Sequence, residues 1–332
     1  MTKILIIRFS SIGDVVLTSP IVRCLKMQLD NVEIHYLTKN QYEQIVETNP
    51  FISKVYTIEK DELHMALREM KKENYDYVID LHNNLRTAKV KRSLRAKNFS
   101  FPKLNVKKFW LTKFKVNNLP KGLHVVDRYF EAVKELGVKN DMAGIDFFIP
   151  DQDIIDVSKF GVKENYVTFS IAAKFATKRL PLDKMIELTK MIQGQVVILG
   201  GILDMENAEA IEKECSNVIN LCGQLKLNKT ASVIKQARKL VTFDTGLMHI
   251  GSAFNKPIIS IWGNTVEEFG MYPYMPVNSD NFSMHEVNEL KCRPCSKIGY
   301  AKCPKKHFKC MHDQNLEAIA QDINEGYVEF NL

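Results

Sequence analysis

Ten short apolar runs, spaced along 332 residues and separated by helix-forming segments, restrict the possible folds more than any other feature of this chain. They fall at residues 3–8, 32–37, 54–58, 77–81 and 97–101, then at 166–171, 196–199, 218–221, 240–243 and 258–262. Runs of this length, rich in Val, Ile, Leu and aromatic residues, are buried strands. Strands alternating with helices make parallel sheets with right-handed crossovers. Two such series, in a chain long enough for two cores, predict two α/β domains, each a doubly wound parallel sheet: residues 1–150 and 151–332. A helix over 124–136 closes the first series, with Gly137 as its stop. Residues 138–165, with Pro150 and many charges, read as the connection between the domains.

The composition, 45% apolar and 26% charged, is that of a soluble globular protein. No apolar stretch is long enough to span a bilayer and the chain enters a strand without a signal-peptide layout, so a cytoplasmic location is expected. Cys24, Cys215 and Cys222 sit in apolar or helical surroundings and read as small core residues.

Directly behind the first run, residues 8–20 read R-F-S-S-I-G-D-V-V-L-T-S-P. Small polar residues after a buried strand form a tight turn; Gly13 lets the backbone turn freely, and a helix starts near Asp14. Ligands of open parallel sheets bind at the carboxyl ends of the strands, which puts Asp14 at a cleft. A carboxylate in a first helical turn also caps free N–H groups and complements the helix dipole, and spacing alone favours that role.

Residues 239–263, K-L-V-T-F-D-T-G-L-M-H-I-G-S-A-F-N-K-P-I-I-S-I-W-G, repeat the arrangement: strand, D-T-G turn, short helix, strand. The N–H groups of Thr245, Gly246 and Leu247 at that helix start suit an anion, and Gly246 permits close approach of a diphosphate. His249 lies one turn into the helix, where a lone histidine is ordinarily a core residue. Lys178 and Arg179 follow the run 166–171 and precede Pro181, which opens the next helix. A cation there faces the phosphates and steadies the charge on a departing diphosphate, a role open to Lys174 as well. No G-x-G follows the first strand, which argues against a nicotinamide oxidoreductase.

Together these segments resemble the ADP-heptose:lipopolysaccharide heptosyltransferase family (glycosyltransferase family nine), with its S-x-x-G-D-V-V/I-x-x-x-P near the N-terminus and its D-[ST]-G-x-x-H late in the chain. Residues 75–86, Y-D-Y-V-I-D-L-H-N-N-L-R, are similar to the family's third recurrent segment. Residues 178–181, K-R-L-P, are similar to its K-x-W-P, with Leu180 where a Trp is common. The resemblance spans nearly the whole chain. It implies the GT-B fold, two Rossmann-like domains facing a central cleft, the first taking the acceptor and the second the donor, with a last helix over 314–325 packing back on the first domain.

The activity it implies is that of an inverting, metal-independent glycosyltransferase. Such an enzyme moves a heptose or related sugar from an ADP-sugar to the inner core of lipopolysaccharide, on a phosphorylated lipid A/Kdo-type acceptor. On this resemblance Asp14 is the general base. Lys178, Arg179, Asp244, Thr245, Gly246, Leu247 and His249 bind the donor, and Asp204 or Glu206, past Gly200-Gly201, holds its ribose. Ser11, Gly13, Arg86, Lys107, Lys108 and Lys113 lie on the acceptor side. The alternatives are a transferase of the same fold using another nucleotide sugar, or a non-enzymatic protein binding anionic lipid or nucleic acid. The last leaves Asp14, Asp244 and His249 without a role.

From Leu81 to Val126 there are twelve Lys or Arg and no Asp or Glu in a chain of net charge +7, so the rest is net negative. Phe99, Phe101, Phe109, Trp110 and Phe114 are interleaved with these cations. Such a segment suits the surface of the inner membrane or a phosphorylated lipid head group. A solvated basic face over core aromatics is the bland reading, and no nucleic-acid motif accompanies the charges. Cys292, Cys295, Cys303 and Cys310 form C-x2-C-x7-C-x6-C. They fit a structural zinc, free thiols or redox-dependent disulfides, the last being disfavoured in a reducing cytosol.

Overall fold

The apolar runs become the strands of two all-parallel sheets in a computed structural model that describes residues 1–59 and 62–328. The chain divides into two compact units, Met1–Leu104 with Gly122–Phe148, and Asn105–Lys121 with Ile149–Leu332.

In the first unit β1 (Thr2–Ile7), β2 (Val32–Lys39), β3 (Lys54–Ile58), β4 (Tyr77–Asp80) and β5 (Lys97–Ser100) stand in the order β3-β2-β1-β4-β5. Their connections carry α1 (Ile12–Val16), α2 (Ser19–Gln28), α3 (Glu43–Val46), α4 (Leu63–Lys71) and α5 (Leu85–Leu94). Ile4, Leu5, Ile6 and Ile7 are fully buried, because β1 is central and covered on both faces, which is why it reads as an unbroken apolar run. The chain leaves this unit for α6 (Asn105–Phe114), which belongs to the second, and returns with α7 (Val125–Phe130). The helix expected over 124–136 is thus shorter; a separate 3-10 turn, Lys134–Leu136, ends at Gly137 with φ +77°.

The second unit orders β6 (Val167–Ser170), β7 (Val196–Leu199), β8 (Val218–Asn220), β9 (Lys239–Phe243), β10 (Ile258–Trp262) and β11 (Phe282–Glu286) as β11-β10-β9-β6-β7-β8. Between and after them run α8 (Leu182–Met191), α9 (Met205–Glu214), α10 (Leu227–Gln236), α11 (Gly246–Ala253), α12 (Lys309–His312) and α13 (Leu316–Asn324). The edge strand β11, half-buried throughout, has no apolar run to announce it. Helix α13 had been expected against the first domain. Its stripe of Leu316, Ile319, Ala320 and Ile323 is buried in the second unit's core, against α8 and β10.

The segment 105–121, expected in the first domain, is tied to the second unit by particular contacts. Leu111 is buried, Lys108 donates to the Phe269 carbonyl at 3.2 Å, and Asn117 donates to Glu268 at 3.0 Å. Lys115 donates to the carbonyls of Cys292 (3.0 Å) and Pro294 (2.6 Å). The basic run is therefore split between the units. Among the described residues no helix is long and apolar enough to cross a membrane.

Each sheet has one place where the winding reverses: between β1 and β4 in the first, and between β6 and β9 in the second. At such a switch point the loops leaving the two strands diverge and open a crevice at the carboxyl edge.

Candidate active site

At the first switch point the loop after β1 carries Asp14 and the loop after β4 carries His82 to Arg86. Asp14 sits in the first turn of α1 and accepts hydrogen bonds from the Ser11 N–H (3.1 Å) and O–H (2.8 Å). It also pairs with the Arg8 guanidinium at 2.5 Å. Asp14 is thus the cap that spacing favoured, and an ion-pair partner as well. Burial by itself would raise its pKa, but Arg8 and the two Ser11 donors outweigh that and hold it below the ordinary carboxylate value. Arg8 is buried and is oriented in turn by the carbonyls of Ser10 and Leu81. Gly13 is buried inside the short helix, while Ser11 is exposed.

A pocket of about 370 Å³ opens beside this turn, lined by Phe9, Ser10, Lys39, His82, Asn84, Leu85 and Arg86. The Arg86 guanidinium lies 5.6 Å from the Phe9 ring centre, and His82 meets Phe9 edge-on at 5.3 Å. Burial, with Arg8 and Lys103 nearby, lowers the His82 pKa to about 4, so the ring is neutral at physiological pH. What shapes this wall is Asp80. Fully buried, it accepts from the N–H groups of His82 (3.0 Å) and Asn83 (2.6 Å) and pairs with Lys91 at 3.0 Å. Asn84 caps α5 by accepting from the Thr87 N–H. Arg8, Asp80 and His82 were not among the residues expected from sequence, although all three stand inside the quoted segments. Lys91, counted in the basic run, is committed to Asp80.

At the second switch point the segment after β6 meets the turn after β9. Lys178 pairs with the buried Asp244 carboxylate at 2.5 Å and donates to the Asp244 carbonyl at 3.1 Å. Thr265 donates to the same carboxylate at 2.7 Å. Lys174 is exposed and lies over the Phe175 ring, so Lys178 alone of the two reaches this turn. Thr245 begins α11 without capping it with its side chain, which leaves the first N–H groups of the helix, from Gly246 and Leu247 onward, directed at the crevice. His249 is buried one turn further in.

The neighbouring loop after β7 adds Asp204, which accepts from the Gly201 N–H (3.1 Å) and pairs with Arg179 at 3.2 Å. Glu206 is exposed. Gly200 is needed here because a Cβ would stand 2.7 Å from the Cys222 sulfur. Leu180 is buried in the unit's core, so the departure from Trp concerns packing.

Residues 292–310 fold beside Lys178. Tyr300 accepts from and donates to Thr177, and Asn264 donates to Ser296. The four cysteines of this loop are free thiols, with the Cys292 sulfur 3.7 Å from His307 Nε2. Among the described residues no three His, Cys, Asp or Glu side chains converge closely enough to hold a metal ion, and a structural zinc, one of the three states these cysteines fit, enters no step below.

A sequence profile of glycosyltransferase family 9 (heptosyltransferase) matches residues 64–302, which include the Asp80 turn, Lys178 and the Asp244–His249 segment. Lipopolysaccharide heptosyltransferase 1 of Campylobacter coli is 25% identical, over 79% of this chain and 84% of that protein. Lipooligosaccharide heptosyltransferase 2 of Haemophilus influenzae is 26% identical, over 97% and 99%. The solved structure of Escherichia coli ADP-heptose lps heptosyltransferase II shares the fold, with a TM-score of 0.74 at 18% identity over 97% of this chain and 98% of that one. The two doubly wound sheets are of the GT-B type. With the profile covering most of its length, the chain belongs to glycosyltransferase family 9, the heptosyltransferases.

Proposed function

We propose that this enzyme transfers a heptose from ADP-heptose to the inner core of lipopolysaccharide, on a phosphorylated lipid A/Kdo-type acceptor at the cytoplasmic surface of the inner membrane. One observation carries the donor reading: the Lys178–Asp244 pair, the uncapped start of α11 and the Arg179–Asp204 pair converge at the switch point of one sheet. Cations beside free helix N–H groups suit a diphosphate, and an acid held by a glycine turn suits a ribose. The names of the curated relatives, lipopolysaccharide and lipooligosaccharide heptosyltransferases, support the sugar and the acceptor. On the acceptor side, a pocket with Arg86, Lys39 and a neutral imidazole suits an anionic sugar.

The chemistry is a single displacement. The acceptor hydroxyl oxygen bonds to the anomeric carbon, its proton passes to an Asp14 oxygen, and the bond from that carbon to the diphosphate breaks, releasing ADP with the bonding electrons. The anomeric configuration inverts. A carboxylate with a depressed pKa is a weak base, so the proton moves late, once the attacking oxygen carries positive charge. Lys178, Arg179 and the α11 N–H groups stabilise the departing diphosphate, the task a metal performs elsewhere.

The test is transfer from ADP-heptose to a Kdo-type lipid A acceptor in the presence of a metal chelator. Inverted product is expected, at rates unchanged by the chelator. Turnover only with a different nucleotide sugar would move the reading to another donor, and loss of turnover with chelator would sink the metal-independent mechanism.

A further inference from the structure

The outward face of α6 has no task in the chemistry above. On a helical wheel Phe109, Lys113, Val106, Trp110, Phe114 and Lys107 occupy one arc of roughly 160°, and all six are exposed. Phe109, Trp110 and Phe114 are 53%, 46% and 54% accessible and pack on one another, with ring centres 5.0–6.0 Å apart. The opposite face is fully used: Leu111 is buried, Lys108 lies over the Phe269 ring, and Lys115, just past the helix, holds three carbonyl oxygens. The helix is therefore well anchored, and its aromatic face is left outward by choice of residue, flanked by cations in a stretch without acids.

We infer that α6 is a lipid-docking element: Phe109, Trp110 and Phe114 enter the boundary between head groups and acyl chains of an anionic bilayer, and Lys107 and Lys113 meet the lipid phosphates. Apolar rings between lysines match that boundary, where one end of the side chain is dry and the other wet. Lys107 and Lys113, exposed on the same arc of a helix without Asp or Glu, give the charge complementarity. Lys108 and Lys115 take no part, being held within the unit. The inference deepens the membrane-borne acceptor reading above and rests on it for the biological surface, but binding is measured without donor or acceptor.

Trp110 is its own reporter, since the chain has two tryptophans and Trp262 is fully buried. The full-length protein is titrated with phosphatidylcholine vesicles and with vesicles also containing phosphatidylglycerol, following co-sedimentation and Trp emission. Expected are a blue shift with the anionic vesicles, quenching by lipids brominated on the acyl chain, and weakening with salt. The blue shift should vanish in Trp110→Phe. Lys107→Glu with Lys113→Glu, or Phe109→Ser with Phe114→Ser, should weaken binding by about tenfold or more without changing thermal melting.

Native emission unmoved by either vesicle overturns the proposal, whatever the variants do. So does self-association by sedimentation that the Phe→Ser pair abolishes, because the face then covers a second copy. Vesicle binding without glycosyl transfer would count against the catalytic reading alone; transfer to a detergent-dispersed acceptor without vesicle binding would count against this one alone.

Discussion

Asp14 caps its helix and holds an ion pair, and it is also the proposed general base. Its carboxylate closes the first turn of α1 through Ser11 and also faces the guanidinium of Arg8. Asp14→Asn keeps an oxygen for the Ser11 N–H but removes the carboxylate proposed to accept the proton. Turnover should fall by at least about a hundredfold while ADP affinity hardly changes; near-normal turnover would return Asp14 to capping alone. Lys178→Ala leaves the buried Asp244 with Thr265 as its side-chain partner and removes a cation from the proposed diphosphate site. Calorimetric titration with ADP should show weaker binding by roughly tenfold or more, and unchanged affinity would mean the nucleotide binds elsewhere.

His82 offers a pH test. Its folded pKa of about 4 lies below the unfolded value of about 6.5, so the native state holds fewer protons between them. The stability that the neutral ring contributes is complete above about pH 6.5 and is lost as the pH falls towards 4. The His82 ring resonance should stay constant down to about pH 5, and His82→Gln should flatten this part of the stability profile. A ring that titrates near 6.5 would show that its surroundings are open to water.

Helices that carry site residues here are short and cannot stand alone. Five-residue α1 and eight-residue α11 are below the length at which an isolated helix holds in water, so the strands before them and the packing beneath set their direction. Close backbone approach then fixes the spacing between elements. A Cβ on Gly263 would lie 2.5 Å from the Thr177 carbonyl oxygen and 2.6 Å from Met311. That carbonyl accepts from the Asn264 N–H and belongs to the segment leading to Lys178. Gly263→Ala must therefore push this segment away from the Asp244 turn. We expect a loss of about 1–3 kcal/mol in urea unfolding and weaker ADP binding together; a stable variant with native affinity would show that the segment yields without consequence. The strands and the two turns were legible because a buried strand and a glycine turn are written in neighbouring residues. Edge strand β11 and the break after Phe130 were not, since half-buried edges and frayed helices lack a periodic signature.

Each unit closes by contacts distant in sequence. In the first, Arg23 grips Asp141 through Nε and Nη2, both at 2.8 Å, and also binds Asp146 and the Gly144 carbonyl, tying the returning segment to α2. The hydrogen bond from Arg23 lowers the Asp141 pKa to about 2. This folded value is below the unfolded one near 3.9, so the contribution is whole above that value and is lost only as the pH falls towards 2. Arg23→Ala should lower the urea midpoint at pH 7 and narrow the difference from wild type towards pH 2. A constant difference across that range would mean the pair is solvent-screened. ADP should slow hydrogen exchange at Gly246 and Leu247 in the second unit, where the proposed nucleotide loops lie.

The apolar runs, the glycine turns and the order of the motifs settle the two parallel sheets and the family, because burial of a strand and the sharpness of a turn depend on residues a few positions apart. Partner choice depends on distance in space. That Lys178 and not Lys174 reaches Asp244, that Asp204 and not Glu206 holds the Gly201 turn, that Lys91 answers Asp80, and that α6 joins the second unit are long-range outcomes of sheet order. A charge in sequence carries no record of which carboxylate or carbonyl will come within 3 Å of it. Folding brings together at the switch points the loops of strands far apart in sequence, and only there do Lys91 and Lys178 meet the carboxylates they pair with.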